Sequence, residues 1–243
     1  MISKKTLLYS FVLLCVAAGL CKIIISLPSR TNENDFGHYY LSSRALVEHQ
    51  DVYGIDLEDA FEKYRFTYNY RLPHPTNPPL LLWVFAPFAL MPPLYAFWGW
   101  VFIQAVSSLA IIWMMKRVLA VYSSQLVWPF SCAAFLLSSA LYYNFVYSQT
   151  QLFLFALILG AYLLHRQHKP VIALTVAVIA GMIKLYPLVF VPWFIWRGTT
   201  IVRKRVMYSL YALLLLGGIV LATGLGLWID FFKVGMPSLT TMP

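Results

Sequence analysis

Apolar runs near 18 to 20 residues recur along this chain, broken by short clusters of Lys and Arg. Wound as a helix, a run of about 20 residues matches the thickness of a bilayer's hydrocarbon core. In lipid such a segment must satisfy its backbone hydrogen bonds internally, which leaves helices as the expected building block. Composition agrees: of 243 residues 60% are apolar and only 11% charged, with a mean hydropathy of +0.71. Soluble domains carry about 25% charged residues, so a water-soluble globule is a poor fit. The expected class is an all-α, polytopic integral membrane protein, with residues 1–243 forming a single transmembrane domain.

The net charge of +9 could suggest a nucleic-acid partner, but its distribution argues otherwise. Eight of the nine acids (Glu33, Asp35, Glu48, Asp51, Asp56, Glu58, Asp59, Glu62) fall between residues 28 and 77, a window that holds five basic residues. Elsewhere thirteen basic residues face one acid, Asp230, and cluster between apolar runs as the positive-inside rule expects. The charge reports topology, with no nucleic acid implied. Cys15, Cys21 and Cys132 lie inside apolar segments without metal-ligand spacing and read as buried small hydrophobes. The stretch from Thr6 to Leu27 is long for a signal peptide, and Ser26-Leu27-Pro28-Ser29 is a poor cleavage site, so it reads as a retained first span.

Placing Lys4-Lys5, Lys116-Arg117, Arg166 with Lys169, and Arg197 with Arg203-Lys204-Arg205 in the cytoplasm sets the path. Residues 7–27 exit, and 28–77 form a large extracytoplasmic first loop. Residues 94–115 return, 127–147 leave, 150–164 return, 171–183 rise, 186–196 descend and 206–228 leave again. Residues 80–91 are apolar but flanked and interrupted by Pro87, Pro92 and Pro93, so they are expected to dip in and return as a hairpin. The 171–196 stretch is likewise expected to be a hairpin rather than one kinked helix. Within the loop, residues 38–49 and Asp56–Tyr64 read as short amphipathic helices on the membrane surface, the second with Asp56 as N-cap and Leu57, Ala60, Phe61 and Tyr64 as its apolar stripe. Arg44 and Glu48 form an i,i+4 pair on the first. Residues 72–79 are proline-rich and extended, leading back to the bilayer.

Glu33-Asn34-Asp35-Phe36 follows the first span directly, so its carboxylates sit at the interface. There a carboxylate can deprotonate an incoming hydroxyl, hold a metal, or merely cap the helix that follows. Lys184 interrupts an apolar sequence that runs from Val171 to Trp196. Ionisable groups within membrane segments are costly and usually have a partner or a function. A lysine about 20 Å above the basic face can snorkel to the far headgroup level, where a phosphate is a natural counter-ion; a turn lysine without ligand is the plain alternative. Lys22 reads as a snorkelling residue. Gln149 and Gln151 lie at an outer turn and can bond sugar hydroxyls or cap a helix. Arg71, His74 and Asn77 cluster just before the chain returns to the bilayer. His38, His49 and His74 lack metal-ligand spacing, and no phosphate-loop, dinucleotide or serine-hydrolase motif occurs.

Together these motifs resemble a known family. Asp35-Phe36-Gly37-His38-Tyr39-Tyr40, then Ala45-Leu46 and Asp51-Val52-Tyr53, is similar to the first outer loop of glycosyltransferase family 87, GT-C-type mannosyltransferases that use polyprenol-phosphate-mannose. Tyr68-Asn69-Tyr70, Asn77-Pro78-Pro79-Leu80 and Pro87-Phe88-Ala89-Leu90-Met91-Pro92 are similar to the family's aromatic-proline lead-in to its next apolar segment. Ser148-Gln149-Thr150-Gln151 corresponds to a Gly-Gln-x-Asn pattern, and Ala180-Gly181-Met182-Ile183-Lys184-Leu185-Tyr186-Pro187 to a lysine-proline segment. Glu33-x-Asp35 is similar to the modified Asp-x-Asp motif of GT-C enzymes.

The resemblance implies a GT-C-like helical bundle that moves a hexose, mannose first, from a polyprenyl-phosphate donor to a hydroxyl of a glycan or glycolipid acceptor, with inversion. Asp35 would be the general base, and Lys184, with Arg71, would hold the donor phosphate. Glu33, His38, Tyr39, His74, Asn77, Gln149 and Gln151 would line the substrate site, and neither a metal nor another cofactor would be needed. The expected location is a bacterial inner (plasma) membrane, N-terminus cytoplasmic and active site extracytoplasmic. Positive-inside sidedness independently sends Asp35, Gln149 and Lys184 to one face. Ser148 stands where the family has glycine and Gln151 where it has asparagine, which bears on sugar preference. Related enzymes usually continue with several more spans past the position of Pro243, so a C-terminally incomplete domain is expected. Two other readings fit the same residues: a lipid-linked-sugar flippase whose Lys184 binds phosphate without chemistry, and a non-catalytic membrane subunit.

Overall fold

The computed structural model describes residues 4–26, 35–64, 66, 74–121 and 127–238. Every regular element among them is helical, as the apolar patterning requires. Helices α1 (Lys4–Ser26), α5 (Pro93–Leu119) and α11 (Val202–Thr223) are each long and apolar enough to cross a membrane. Taken together, α6 (Val127–Leu137) and α7 (Ser139–Val146) are also long and apolar enough for a span, with a 42° bend between them. The bend has a local cause: the Ser138 hydroxyl accepts from the Leu141 amide and starts α7 as a new helix. Between the long helices lie α2 (Asp35–Val47), α3 (Leu57–Lys63) and α4 (Pro79–Ala89). Next come α8 (Gln151–Arg166), α9 (Pro170–Ile183), a 3-10 turn (Tyr186–Val189) and α10 (Phe190–Gly198). The described chain closes with α12 (Leu225–Asp230), a π turn (Phe231–Gly235) and α13 (Met236–Ser238).

Side-chain contacts fix the direction of each helix. The Trp100 ring of α5 lies 6.2 Å from Phe153 at the start of α8, while Met114 packs beside Gly160 further along, so α5 and α8 run parallel. Lys116-Arg117 and His165-Arg166 therefore share one end. α6 starts there too, with Trp128 Nε1 donating to the Ile112 carbonyl and Lys116 Nζ over its ring. α1 runs alongside α6, Gly19 lying where a Cβ would approach the Leu136 carbonyl to 2.7 Å, and it ends with the Ser26 hydroxyl 3.1 Å from that of Tyr142. α9 turns back from α8 through Gln167–Lys169, and α10 returns to the basic end, where Trp193 lies 5.4 Å from His165. α11 rises again, with Tyr211 bonded to Thr175 and the Thr223 carbonyl accepting from Trp83. The basic turns thus gather at one end of the bundle, as charge patterning predicts, and the 171–196 stretch is a hairpin broken at Lys184.

Residues 79–89 form one continuous helix with no reversal inside it, so the hairpin expected over 80–91 is replaced by a single short arm. At only 11 residues α4 spans about 16 Å. Both its approaches touch the first loop: the Asn77 carbonyl accepts from Tyr53, and the Ala89 and Met91 carbonyls accept from Arg44 and Tyr40. Its Phe85 and Phe88 pack on Trp100 near the start of α5.

Two further expectations are corrected here. Cys21 is exposed, unlike the buried Cys15 and Cys132. α2 is not an amphipathic helix on the membrane surface: Phe36 through Ser43, and Ala45, are all buried. Phe36 stacks among Tyr40, Phe66, Phe85 and Phe97, while Gly37 allows the Phe61 ring of α3 to approach to about 3 Å of where its Cβ would be. Aromatic rings from α3, α4 and α5 enclose the helix on the sides that a surface position would leave open. α3 does match its amphipathic pattern. Asp56 caps it through the Glu58 amide at 2.8 Å, and Leu57 and Phe61 are its buried stripe. The Arg44–Glu48 pair is present.

Candidate functional site

The first turn of α2 is anchored from outside itself. The Asp35 amide donates to the Tyr147 carbonyl at 3.0 Å, fastening the helix start to the α7–α8 turn. That turn is held by Trp100, whose indole donates to the Ser148 carbonyl at 2.9 Å, and by Asn144, whose side-chain oxygen accepts from the Leu152 amide. Ser148 sits at φ 50°, in the left-handed region that glycine adopts without strain.

Lys184 is presented by a break. α9 stops at Ile183, Lys184 is extended, and Pro187 opens the 3-10 turn. Gly181 permits the fold-back, because a Cβ there would lie 2.4 Å from Leu188. Asp35 and Lys184 meet in one cavity of about 370 Å³, walled also by His38, Tyr39 and Asn77.

Electrostatics link the pair. Burial pushes the Asp35 carboxyl above the usual carboxylate range, opposed by a hydrogen bond from the Gln149 side chain and by the Lys184 charge. A carboxylate whose pKa is raised in this way is a stronger proton acceptor than one in water. Burial holds the His38 imidazole down at about 4, so it is neutral at physiological pH; its ring packs edge-on to Phe61 at 5.0 Å. The Tyr39 phenol is pushed up, by burial first and Asp35 second, and stays protonated as a donor.

Of the residues marked in the sequence, Asp35, His38, Tyr39, Asn77 and Lys184 line the cavity, and Gln149 supports it from behind. Gln151 opens α8 with its side-chain oxygen buried and unbonded, and His74 Nδ1 lies 3.3 Å from the Ile55 carbonyl; neither is on the cavity wall. Glu33 and Arg71 lie outside the described residues. Among the described residues no three His, Cys, Asp or Glu side chains converge as metal ligands would. Sequence reasoning missed Phe231 and Met236, which close the cavity from the C-terminal side, and Thr76 and Leu185 on its walls. Phe231 packs against Tyr53 with ring centroids 6.0 Å apart and planes tilted by 52°, and Gly235 fits where a Cβ would come within 2.8 Å of the Pro75 carbonyl. No motif announces these two, whereas Thr76 and Leu185 are neighbours of residues already marked.

No curated protein and no solved structure matches the chain. The family model for glycosyltransferase family 87 matches residues 76–241, a stretch that includes Asn77, Gln149 and Lys184 and starts after Asp35, His38 and Tyr39. With that match spanning most of the helical bundle, the chain belongs to glycosyltransferase family 87.

Proposed function

We propose that this membrane glycosyltransferase moves a mannose from a polyprenyl-phosphate donor to a hydroxyl of a glycan or glycolipid. The observation that carries the reading is the single cavity shared by Asp35 and Lys184. Asp35 takes the proton of the acceptor hydroxyl as its oxygen bonds to the anomeric carbon. The bond from that carbon to the phosphate oxygen breaks, its electron pair leaves with polyprenyl phosphate, and the anomeric centre inverts. Negative charge grows on the leaving phosphate, and the Lys184 ammonium offsets it where water is largely excluded. Tyr39 and Asn77 supply hydrogen bonds for sugar hydroxyls, and Gln149 holds the Asp35 carboxylate in place. The reaction runs without a metal ion.

The clustering of basic turns at the opposite end supports a cytoplasmic N-terminus and an extracytoplasmic site, and the membrane proposed is a bacterial inner membrane. The test is transfer from synthetic polyprenyl-phosphate mannose by membranes carrying the full-length gene product. The wild type transfers, and Asp35→Ala retains the donor but does not transfer. Donor translocation unchanged in Asp35→Ala, with no glycosylated product from either protein, would establish a flippase instead.

A further inference from the structure

At the basic end, far from Asp35, the α8–α9 and α10–α11 turns lie side by side and enclose a second cavity, of about 440 Å³. His165, Arg166 and His168 enter it from one turn, Arg197 from the other, and Lys204 and Tyr208 from α11. No acid lines it among the described residues. The one acid outside the first loop and its flanks, Asp230, sits near Tyr53 at the other end. Arg205 is already committed, its Nε donating to the Thr199 carbonyl and its guanidinium lying over Trp196, so it shapes the turn.

An apolar groove of about 510 Å³ begins beside this cavity, lined by Phe155, Leu159 and Tyr162 of α8 and by Val189, Phe190 and Trp193 opposite. Trp193 stands at the boundary, 6.1 Å from the Tyr162 ring and 5.4 Å from that of His165. Along α8 the groove covers about 10 Å towards the bundle centre. Sidedness alone asks for cations at this end, but it does not ask them to converge on a cavity with an apolar groove beside it.

We propose that this composite site binds an anionic phospholipid of the leaflet at the basic end, its phosphate among Arg166, Arg197 and Lys204 and an acyl chain along the groove. Basic pockets between membrane helices hold lipid phosphates by charge complementarity, and the groove supplies the apolar area that a free anion could not use. The site is independent of the transfer reaction, so its test needs no enzyme activity.

The full chain, stripped of lipid in a mild detergent, is titrated with phosphatidylglycerol and with phosphatidylcholine, and retained lipid is counted by native mass spectrometry. Phosphatidylglycerol binds at least about tenfold more tightly. The triple variant Arg166→Gln, Arg197→Gln, Lys204→Gln loses that preference, and Leu159→Trp, which fills the groove and keeps every charge, weakens phosphatidylglycerol binding. Equal retention of the two lipids, or a preference untouched by the triple variant, would overturn the proposal. So would inorganic phosphate displacing the lipid with similar affinity while Leu159→Trp has no effect, since the pocket would then be a site for free anions.

Discussion

The Asp35 amide is bonded to the Tyr147 carbonyl at 3.0 Å, which ties the only acid on the cavity wall, among the described residues, to a turn between two helices that cross the bundle. The helix start is therefore held by backbone, and the chemistry of the carboxylate can be altered without removing that anchor.

Asp35→Asn keeps the shape and the amide bond but cannot take a proton. Transfer falls about 10²- to 10⁴-fold, the range for loss of a general base, while donor affinity changes little. Steady-state transfer rates and a donor-binding titration on the same preparation check both halves.

The wild-type rate depends on pH through the same group. Burial raises the Asp35 carboxyl, so the base is lost by protonation as pH falls, at a midpoint above the ordinary carboxylate value of about 4. Gln149→Ala and Lys184→Ala each remove a group that lowers it, and each shifts the acid limb of the rate profile upwards. An acid limb that moves down in either variant would contradict the electrostatic coupling.

Lys184→Ala weakens donor binding and lowers transfer by about 10²-fold or more, the scale expected for one charge set against a developing anion. Lys184→Arg recovers part of both, because the guanidinium keeps the charge but not the compact geometry of the ammonium. Competition with polyprenyl phosphate reads the binding effect directly.

Two variants at the α7–α8 turn separate backbone from side chain. Both Ser148→Gly and Ser148→Ala delete the hydroxyl, yet glycine alone accepts φ 50° freely. The glycine variant is expected to be more stable than the alanine variant by about 1 kcal/mol, measured by thermal unfolding in detergent.

Metal independence is expected as well. Transfer persists in excess chelator, and added magnesium or manganese does not raise it; activity abolished by chelator and restored by either ion would refute the mechanism.

The spans were legible because length and charge placement leave few alternatives: Lys116-Arg117 and His165-Arg166 had to share an end, and they do. Lys184 was legible as a lone charge in an apolar sequence, and Asp35 as an acid directly after a span. α2 was not, since the rings that bury it, Phe85 and Phe97 among them, come from segments far along the chain. Phe231 and Met236 were invisible for a similar reason: an aromatic and a methionine in an apolar tail look like lipid-facing residues until Tyr53 and the Pro75 carbonyl are found against that tail.

The burial of most of α2 constrains biogenesis. Its seat is built from α4, α5, the Tyr147 turn and the Lys184 break, all synthesised after it. As the chain emerges, the bond from the Asp35 amide to the Tyr147 carbonyl cannot form until α7 has been made, so a residue translated early is seated only after much of the bundle exists. A lesion that stalls insertion anywhere before Lys184 would leave an inert enzyme with an intact first loop.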